Sequence, residues 1–348
     1  MIKEALLGAD YRFDGALPPL TLSAPQKDAR ELFLKDIHSR GKYIDVPGCP
    51  FCGGDELTKV SERDSRGLPC EVAVCDACGG CFKSRILDPE ANRYLYEKIS
   101  YMLRGKDRSP GAVEALFRRR IKEFAYPRYG FIRHFAELKR NMDLIAEFGC
   151  GDGANLVPWR DDGFSVIGIE FDGGMVEFGK SKDLDLVQGD FMTHDLGGAR
   201  PKLVILSHLL EHVTDMNVVL NRIHSVLDPY GYLFIEVPGV RGQGLGRPLS
   251  SFDVEHNYYF DLESLSSALR KNRFSVAYGD EYIRVICRPA DAPIAGPQGR
   301  KGGSRRLMEL FREEESGSVK AKAMNRLTGA YFSAYYSILS SGVGHGKA

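Results

Sequence analysis

The chain lacks several features that would decide its class at once: it has no net charge, one tryptophan and no long hydrophobic run. Its 47 lysines and arginines balance 47 aspartates and glutamates, so no global charge favours indiscriminate binding to nucleic acid or acidic membranes. We expect neither a membrane-spanning helix nor a secretory signal. With 43% hydrophobic and 27% charged residues, the composition is that of a globular protein, which we expect to be cytoplasmic.

The length of 348 residues predicts about two domains, or one larger domain with appendages. Changes in composition along the chain divide it into five segments. They are an extension (1–45), a cysteine-rich segment (46–88), a helical segment (89–138), a segment of alternating strands and helices (139–288), and a flexible linker rich in Pro, Gly, Arg and Lys that leads to a C-terminal helix at Val319–Leu339 (289–348).

Short apolar runs alternate with helix-length stretches after residue 139, which indicates a mostly parallel sheet covered on both faces. Five runs are predicted strands: Leu144–Phe148, Ser165–Ile169, Leu184–Val187, Leu203–Leu206 and Tyr232–Val237. Two later runs, Phe274–Tyr278 and Tyr282–Cys287, are separated only by a Gly-Asp-Glu turn. This spacing predicts an antiparallel hairpin at the end of an α/β sheet.

Two C-x2-C pairs dominate the cysteine-rich segment: Cys49 with Cys52, and Cys75 with Cys78. Two such knuckles supply four thiolates for a tetrahedral, structural zinc site, so we predict a small zinc ribbon. The Gly-Gly pair after each knuckle would let backbone amides approach the sulfurs. Two alternatives stay open: Cys70 or Cys81 could replace a knuckle cysteine, or the thiols could pack or act as a redox pair.

A glycine loop, Glu147-Phe-Gly-Cys-Gly-Asp-Gly153, follows the first predicted strand. It also satisfies the dinucleotide pattern G-x-G-x-x-G/A, so the loop alone is ambiguous. Glu147 before the glycines suits a cationic amino group, and Asp152 would repel a diphosphate. Glu170, at the end of the second strand, is placed to accept from two ribose hydroxyls.

A further acidic residue follows the third strand in the sequence Gln188-Gly-Asp-Phe191. Asp190 could accept a hydrogen bond from an adenine amino group, and Phe191 could pack on the ring. Each acid alone is more simply a solvated loop residue. As a series at successive strand ends, they favour S-adenosylmethionine, which is cationic and carries no phosphate.

The region from about Leu138 to Arg288 resembles the class I S-adenosylmethionine-dependent methyltransferases. The motifs EFGCGDG, VIGIEFD, QGDF, ILSHLLEHV, GYLFIEVPG and EHNYYFDLESL stand in the order that this family uses. The resemblance implies a seven-stranded Rossmann-like sheet with an antiparallel last strand. It also implies a set of cofactor-binding residues: Glu147, Gly149, Gly151, Asp152, Gly153, Glu170, Phe171, Asp190, Phe191 and Ser207.

The cysteine segment makes the chain similar to family members that have an N-terminal zinc-binding module, including sugar C-methyltransferases. In those enzymes a Glu-His pair matching Glu255-His256 serves in substrate deprotonation, with a histidine matching His212 nearby. A tyrosine also reaches the substrate, and Tyr101 is the nearest match. From the residues alone, His208, Glu211 and His212 cluster after the fourth strand, where an imidazole suits general-base work. The alternative is that both Glu-His pairs are architectural.

The partner expected from this resemblance is a small polar acceptor, such as a nucleotide-linked sugar or glycan precursor, methylated at carbon or oxygen. A basic stretch (Arg118, Arg119, Arg120, Lys122, Arg128 and Arg133) suggests either an anion clamp or, more simply, a solvated helix face. Two other functions remain as alternatives: an NAD-dependent oxidoreductase, and a zinc-ribbon protein that binds nucleic acid. Oligomerisation through the C-terminal helix is also a prediction.

Overall fold

A computed structural model of the protein describes residues 2–16, 21–105, 109–240, 248–280, 282–295 and 303–315. The predicted C-terminal helix at Val319–Leu339 lies outside these residues. Among the helices in the described ranges, none combines the length and the apolar character that crossing a membrane requires.

The N-terminal strands form two small sheets. Their bounds are β1 (Ile2–Glu4), β2 (Tyr43–Asp45), β3 (Leu57–Arg63), β4 (Pro69–Cys75), β5 (Cys81–Lys83) and β6 (Arg85–Leu87). Strand β1 runs parallel to β3, β3–β4–β5 is antiparallel, and β2 pairs with β6. Helix α1 (Ala24–Asp36) begins after Ser23, where Ser23 and Gln26 form a capping box.

Two longer helical segments follow, and each is interrupted by a π-helical turn. The first comprises α2 (Pro89–Tyr94), the π turn Leu95–Ile99 and α3 (Ser100–Leu103); the second comprises α4 (Pro110–Arg120), the π turn Ile121–Ala125 and α5 (Tyr126–Phe135). A π turn inserts an extra residue into the helix, so it shifts which side chains share a face.

The larger sheet has seven strands, and it is built from the second half of the chain. The strands and helices of this half, in chain order, are β7 (Leu144–Phe148), α6 (Val157–Asp161), β8 (Ser165–Glu170), α7 (Gly173–Lys180), β9 (Leu186–Gln188), β10 (Leu203–Ser207), α8 (Met216–Val226), β11 (Tyr232–Glu236), β12 (Tyr258–Tyr259), α9 (Leu262–Lys271), β13 (Phe274–Gly279) and β14 (Arg284–Pro289). All of these strands except β12 belong to the seven-stranded sheet. The strand order is β13-β14-β11-β10-β7-β8-β9.

Strands β7 to β11 of this sheet are parallel, and β14 is antiparallel to both β11 and β13. The predicted hairpin is therefore present at one edge of a mostly parallel sheet. The central strands β10 and β11 are almost wholly buried, as expected for strands covered on both faces. The predicted fold class is confirmed.

Strand β12 does not join the large sheet but pairs with β5 of the small one, Tyr258 opposite Phe82. The two sheets share one hydrophobic core, in which Phe51 contacts Phe82, Tyr258 and Phe260. Lys83 also donates to the Val254 carbonyl at 2.7 Å. The segment before β12 is thus anchored to the cysteine-rich part of the chain.

Helix α10 (Gly303–Glu315) corrects the interpretation of residues 303–306 as linker. The Gly- and Arg-rich composition conceals an apolar face, because Leu307, Met308 and Phe311 recur at helical spacing. These three side chains are buried in a cluster with Val60 and Phe252. Burial of this face, rather than composition, determines the structure here.

Candidate functional site

Four cysteine sulfurs converge where the two knuckles meet. Those of Cys49, Cys52, Cys75 and Cys78 lie within 4.8 Å of one another. The Cys49 and Cys78 sulfurs are 3.5 Å apart, and those of Cys52 and Cys75 are 3.6 Å apart. Sulfurs on one tetrahedral zinc ion, bound at about 2.3 Å, lie roughly 3.8 Å apart. The predicted set of ligands is therefore assembled with a spacing that fits zinc.

Backbone amides point at these sulfurs, as the glycine pairs predict. Gly54 N donates to the Cys52 sulfur at 3.4 Å, and Gly80 N donates to the Cys78 sulfur at 3.3 Å. Hydrogen bonds with Cys49 and Cys75 raise the pKa of Cys78. A divalent cation would displace the protons that such a cluster retains.

The two spare cysteines lie elsewhere. The Cys70 sulfur is 3.5 Å from the Tyr259 hydroxyl, and Cys81 is buried in the same hydrophobic cluster. Burial raises the pKa of Cys70 to about 12, so this thiol stays protonated. The structure does not assemble the ligand sets in which Cys70 or Cys81 replaces a knuckle cysteine.

The glycine loop turns sharply at the end of β7. Gly149, Gly151 and Gly153 have φ angles of 68°, 57° and 76°, in the left-handed region that favours glycine. A Cβ at Gly149 would come within 2.8 Å of Leu209, and one at Gly153 within 2.8 Å of Leu184. The conformations that only glycine adopts easily therefore determine the path of this loop, as the sequence predicts.

Glu147 presents a buried acid beneath this loop. Its Oε1 accepts from Asn155 Nδ2 at 2.6 Å, whereas Oε2 has no hydrogen-bond donor among the described residues. Burial raises the pKa of Glu147 to about 8. An unsatisfied buried carboxylate oxygen is a place for a positively charged group, which fits the amino group of S-adenosylmethionine.

Glu170 is held at the end of β8 by backbone amides. Its Oε2 accepts from Gly151 N at 2.9 Å, and its Oε1 accepts from Phe171 N and Asp172 N. A carboxylate has about four acceptor lone pairs, so Glu170 keeps about one for a ligand hydroxyl. Phe171 next to it is 61% exposed, which leaves its ring available to a ligand.

The other predicted cofactor residues lie along the same edge. Asp190 is exposed and accepts from Met192 N, while Phe191 stacks on Phe148 with ring centroids 5.4 Å apart. Ser207 ends β10 beside the loop. Asp152 forms an ion pair with Arg120 at 2.7 Å. Because Arg120 compensates this charge, Asp152 alone does not exclude a phosphate.

Glu211, His212 and His256 form a second group of metal-ligating side chains, here called the His–Glu cluster. One ligand atom from each lies within 4.8 Å of the others. The His212 and His256 ring centroids are 4.8 Å apart, and His212 Nε2 is 3.7 Å from Glu211 Oε1. The structure thus brings together two histidines that lie 44 positions apart in the sequence.

Two residues of the His–Glu cluster have pKa values far from their usual ones. Burial alone would raise the pKa of Glu211, but the imidazoles of His212, His208 and His256 outweigh it and lower the pKa to about 2. Burial and the neighbouring His212 lower the pKa of His256 to about 4. At neutral pH, His256 therefore keeps a free lone pair on its ring.

Glu255 faces away from the His–Glu cluster, toward the helical segment. Its carboxylate accepts from Arg104 Nε and Nη2, both at 3.0 Å, and from the Ser100 hydroxyl. Its side chain is 2% exposed. This carboxylate is thus fully engaged in an ion pair, which suits positioning of the loop better than proton transfer.

The role predicted for Tyr101 stays a prediction, but a tyrosine that contacts the histidines is Tyr96. Its hydroxyl lies 2.9 Å from His212 Nδ1, and its ring packs edge-on against Phe171. Tyr96 lies within the π turn of the first helical segment, which shifts the face that this helix presents. Helical spacing alone could not identify it.

A chain of polar contacts that the sequence did not reveal connects the glycine loop with the His–Glu cluster. Arg128 pairs with Glu236 at the end of β11 and also contacts Asn155, the partner of Glu147. His208 Nε2 is 3.8 Å from Glu236. His208 has a φ of 53°, an uncommon value outside glycine that often marks functional sites.

The basic stretch is divided between different surroundings. Arg118 and Arg119 are exposed and pair one turn away, with Glu114 and Glu123. Arg120 and Arg128 pair with Asp152 and Glu236 instead, and Arg133 donates to the Leu138 carbonyl. For Arg118 and Arg119, the simpler interpretation as a solvated helix face describes what the structure shows.

The order of strands in the large sheet and the glycine loop agree with the fold that the resemblance to class I methyltransferases implies. Residues 117–278 match the family model described as a methyltransferase domain. The C-methyltransferase NovU of Streptomyces niveus is 23% identical over 254 residues, 66% of this chain and 56% of NovU. The uncharacterized methyltransferase OB1106 of Oceanobacillus iheyensis is 25% identical over 168 residues, 43% of this chain and 78% of OB1106.

Among solved structures, DesVI of Streptomyces venezuelae has a TM-score of 0.42 at 14% identity, covering 51% of this chain and 96% of DesVI. The chain spans about half the length of NovU, 56%. The residues that match the family model, 117–278, include most of the seven-stranded sheet. Residues 117–278 are thus similar to methyltransferase domains, and the resemblance predicted from the motifs is confirmed.

Proposed function

We propose that the protein transfers a methyl group from S-adenosylmethionine to a small polar acceptor of the nucleotide-linked sugar or glycan-precursor class, at carbon or oxygen. The observation that carries this proposal is the buried, unpaired oxygen of Glu147 under the glycine loop of a methyltransferase domain. It supplies an anionic partner for the cofactor's amino group. The name of the relative NovU, a C-methyltransferase, supports a carbon acceptor.

The cofactor would lie along the edge formed by the ends of β7, β8 and β9. Glu147 and the glycine loop would bind its amino acid end, and Glu170 one of its ribose hydroxyls. Asp190, with Phe171 and Phe191, would hold the adenine. When bound, S-adenosylmethionine supplies an electrophilic methyl group on a sulfonium ion, and the protein's main task is to position the acceptor in line with it.

His212 and His256 are proposed to act on the acceptor proton, with His256 as general base because its lone pair is free at neutral pH. Glu255 would position this loop through Arg104 instead of exchanging a proton. We assign to Tyr96 the place predicted for Tyr101, since its hydroxyl contacts His212. The site would thus activate a hydroxyl or an acidic carbon.

The four-cysteine cluster is proposed to hold a structural zinc ion. All four coordination positions would be filled by sulfur, which leaves none for a substrate. The eight cysteines of the protein form no disulfide with one another. Free thiols suit the reducing cytoplasm in which we expect the protein to lie. The metal would stabilise the strands to which β12, and hence the Glu255-His256 loop, is attached.

Calorimetry with S-adenosylhomocysteine and with NAD tests the cofactor directly. We expect binding of S-adenosylhomocysteine and none of NAD; the reverse result would overturn the proposal. Release of S-adenosylhomocysteine is then measured across nucleotide-linked keto sugars, nucleotide-linked hydroxy sugars and unlinked sugars. Mass spectrometry of the product would locate the added methyl group on carbon or oxygen.

A further inference from the structure

A turn in the cysteine-rich segment lies against the loop that carries the proposed base. The turn, here called the β3–β4 turn, comprises residues 64–68, and the loop, here called the His256 loop, comprises residues 252–256 and precedes β12. Val254 N donates to Asp64 Oδ2 at 3.3 Å, a contact between segments 190 positions apart. The cysteine-rich segment therefore contacts the backbone beside the proposed base.

The guanidinium of Arg66 joins the two segments by charge. Its Nη1 donates to Asp253 Oδ2 at 2.9 Å and lies 3.8 Å from Asp64 Oδ2. Asp64 is fully buried, and burial and the nearby Asp253 carboxylate raise the pKa of Asp64 to about 7. Two neighbouring acids are costly to bury unless a cation lies beside them, so Arg66 stabilises this arrangement of the turn and the loop.

Asp253 connects Arg66 with the backbone of the His256 loop. Its Oδ2 accepts from Arg66, and its Oδ1 accepts from Glu255 N at 3.0 Å. The Asp253 carbonyl accepts from His256 N, also at 3.0 Å. These bonds close a turn at the residue that carries the imidazole. The position of the Asp253 side chain therefore determines where the backbone of His256 lies.

The ring of His256 is surrounded by other rings. Its centroid lies 4.8 Å from that of His212 and 6.4 Å from that of Tyr259. Packing contacts of this kind tolerate small shifts, whereas proton transfer requires that the base come within hydrogen-bond distance of the proton. The reach of the imidazole therefore depends on how firmly its backbone is held.

We propose that Arg66 is a positioning residue for methyl transfer: by joining Asp64 to Asp253, it holds the His256 loop where the imidazole reaches the acceptor proton. Arg66 acts through Asp253 and takes no part in proton transfer. This inference rests on the proposed function, in which His256 is the general base. The effect of Arg66 on the backbone of the loop does not depend on that function and can be measured without an acceptor.

Steady-state methyl transfer by Arg66→Met tests the positioning role. We expect kcat to fall by about 10–100-fold, because a small misplacement of a reacting group costs that much. The KM for the acceptor and the affinity for S-adenosylhomocysteine should be unchanged. Arg66→Lys keeps a cation within reach of Asp253 and should recover most of the rate. In the matched control Arg63→Met, the wild-type kcat should be kept, because Arg63 is equally part of the cysteine-rich segment but donates to the Asp10 carbonyl.

Combining Arg66→Met with His256→Asn separates positioning from a merely structural role. If Arg66 acts through His256, the double variant should turn over no more slowly than His256→Asn alone. A structural role of Arg66 would lower the rate by the same factor in both backgrounds, and that result would overturn the inference.

Amide hydrogen exchange in the full chain examines the loop without an acceptor. In Arg66→Met we expect exchange at residues 254–256 to quicken by roughly tenfold or more, the effect of losing a hydrogen bond to a charged group, and β10 to exchange as in the wild type. Unchanged exchange at 254–256 would overturn the inference even where methyl transfer is intact. Faster exchange in a protein that methylates no acceptor would refute the proposed function while supporting the role of Arg66 in holding the loop.

Asp253→Asn keeps the test valid if the Arg66→Met protein does not fold. It breaks the same ion pair with little change of shape, so it should reproduce the lower kcat and the faster exchange. Wild-type kcat and wild-type exchange in Asp253→Asn would overturn the inference.

Discussion

The proposed site has a cofactor half and an acceptor half, and the two are built in different ways. The cofactor half consists of short turns that follow the neighbouring strands β7, β8 and β9, and its acids are held mainly by backbone amides. The acceptor half is assembled from buried charges on segments far apart in the sequence. These segments are 96–104, 128, 208–212, 236 and 253–257.

This difference predicts that the two halves fail in different ways. Backbone shape determines the cofactor half, so it should respond mainly to the conformational restriction of single loop residues. The acceptor half depends on pairing of charges and on the sheet to which β12 is attached. It should therefore respond to changes in the cysteine-rich region that leave cofactor binding intact.

The largest effect is expected from Cys75→Ser, which removes a ligand of the proposed zinc ion. The variant should lose its one zinc per chain and loosen residues 46–88 and the loop before β12. Hydrogen exchange would show faster exchange in both segments but little change in β7 to β10. Elemental analysis measures the metal, and affinity for S-adenosylhomocysteine should be nearly retained.

Cys287→Ser is the matched control, because Cys287 is equally buried but lies in β14, where its sulfur contacts the Leu233 carbonyl. It should keep its zinc and its exchange pattern in residues 46–88. If Cys75→Ser weakens cofactor binding as strongly as acceptor turnover, the two halves are not separable in the way described.

The next largest effect concerns the histidines of the acceptor half. His256→Asn and His212→Asn should each lower turnover by about 10²–10⁴-fold, the usual contribution of general-base assistance. Affinity for S-adenosylhomocysteine should change little, since the cofactor half is intact. His224→Asn, on α8, should have near-normal turnover. Near-normal turnover of both cluster variants would mean that positioning alone drives the transfer.

The geometry of the proposed cofactor half could be predicted because its determinants are local. Glu147, the three glycines and Glu170 stand at the ends of apolar runs, and strand ends of a parallel sheet meet at one edge. The two C-x2-C knuckles are equally local, and their sulfurs meet as predicted. In each case the spacing in the sequence implies the geometry.

The acceptor half could be predicted only in part, because its partners come from distant segments. Nothing in the sequence links Arg104 or Ser100 with Glu255, about 150 positions later. The π turn at Leu95–Ile99 contains Tyr96, which contacts His212, and helical periodicity cannot reveal such a turn. Tertiary packing decides these contacts, and only the structure shows them.

A smaller effect is expected from Gly151→Ala in the cofactor loop. Its φ of 57° is unfavourable for a residue with a Cβ by about 1–2 kcal/mol, and the loop must lie close to the ligand. Because the strained loop would relax out of the conformation that lies close to the ligand, affinity for S-adenosylhomocysteine should fall by roughly tenfold. Gly163→Ala imposes a similar strain at a φ of 84° away from the loop, so it should lower thermal stability but not affinity. Equal affinities of the two variants would contradict this account.

The smallest effect is a pH dependence that distinguishes Glu147 from the other acids of the site. Since burial raises its pKa to about 8, the carboxyl is mostly protonated at neutral pH in the free protein. Such a group stabilises the fold below its unfolded pKa, about 4.3, and that stability is lost as the pH rises through 8. The cofactor's ammonium favours the ionised form of Glu147, so binding should release a proton and strengthen with pH by up to tenfold per unit.

Calorimetry in buffers of different ionisation enthalpy would measure the released proton. Glu147→Gln should abolish this proton release, and the control Glu263→Gln should retain it. Equal proton release from wild type and Glu147→Gln would place the cofactor's amino group elsewhere in the loop.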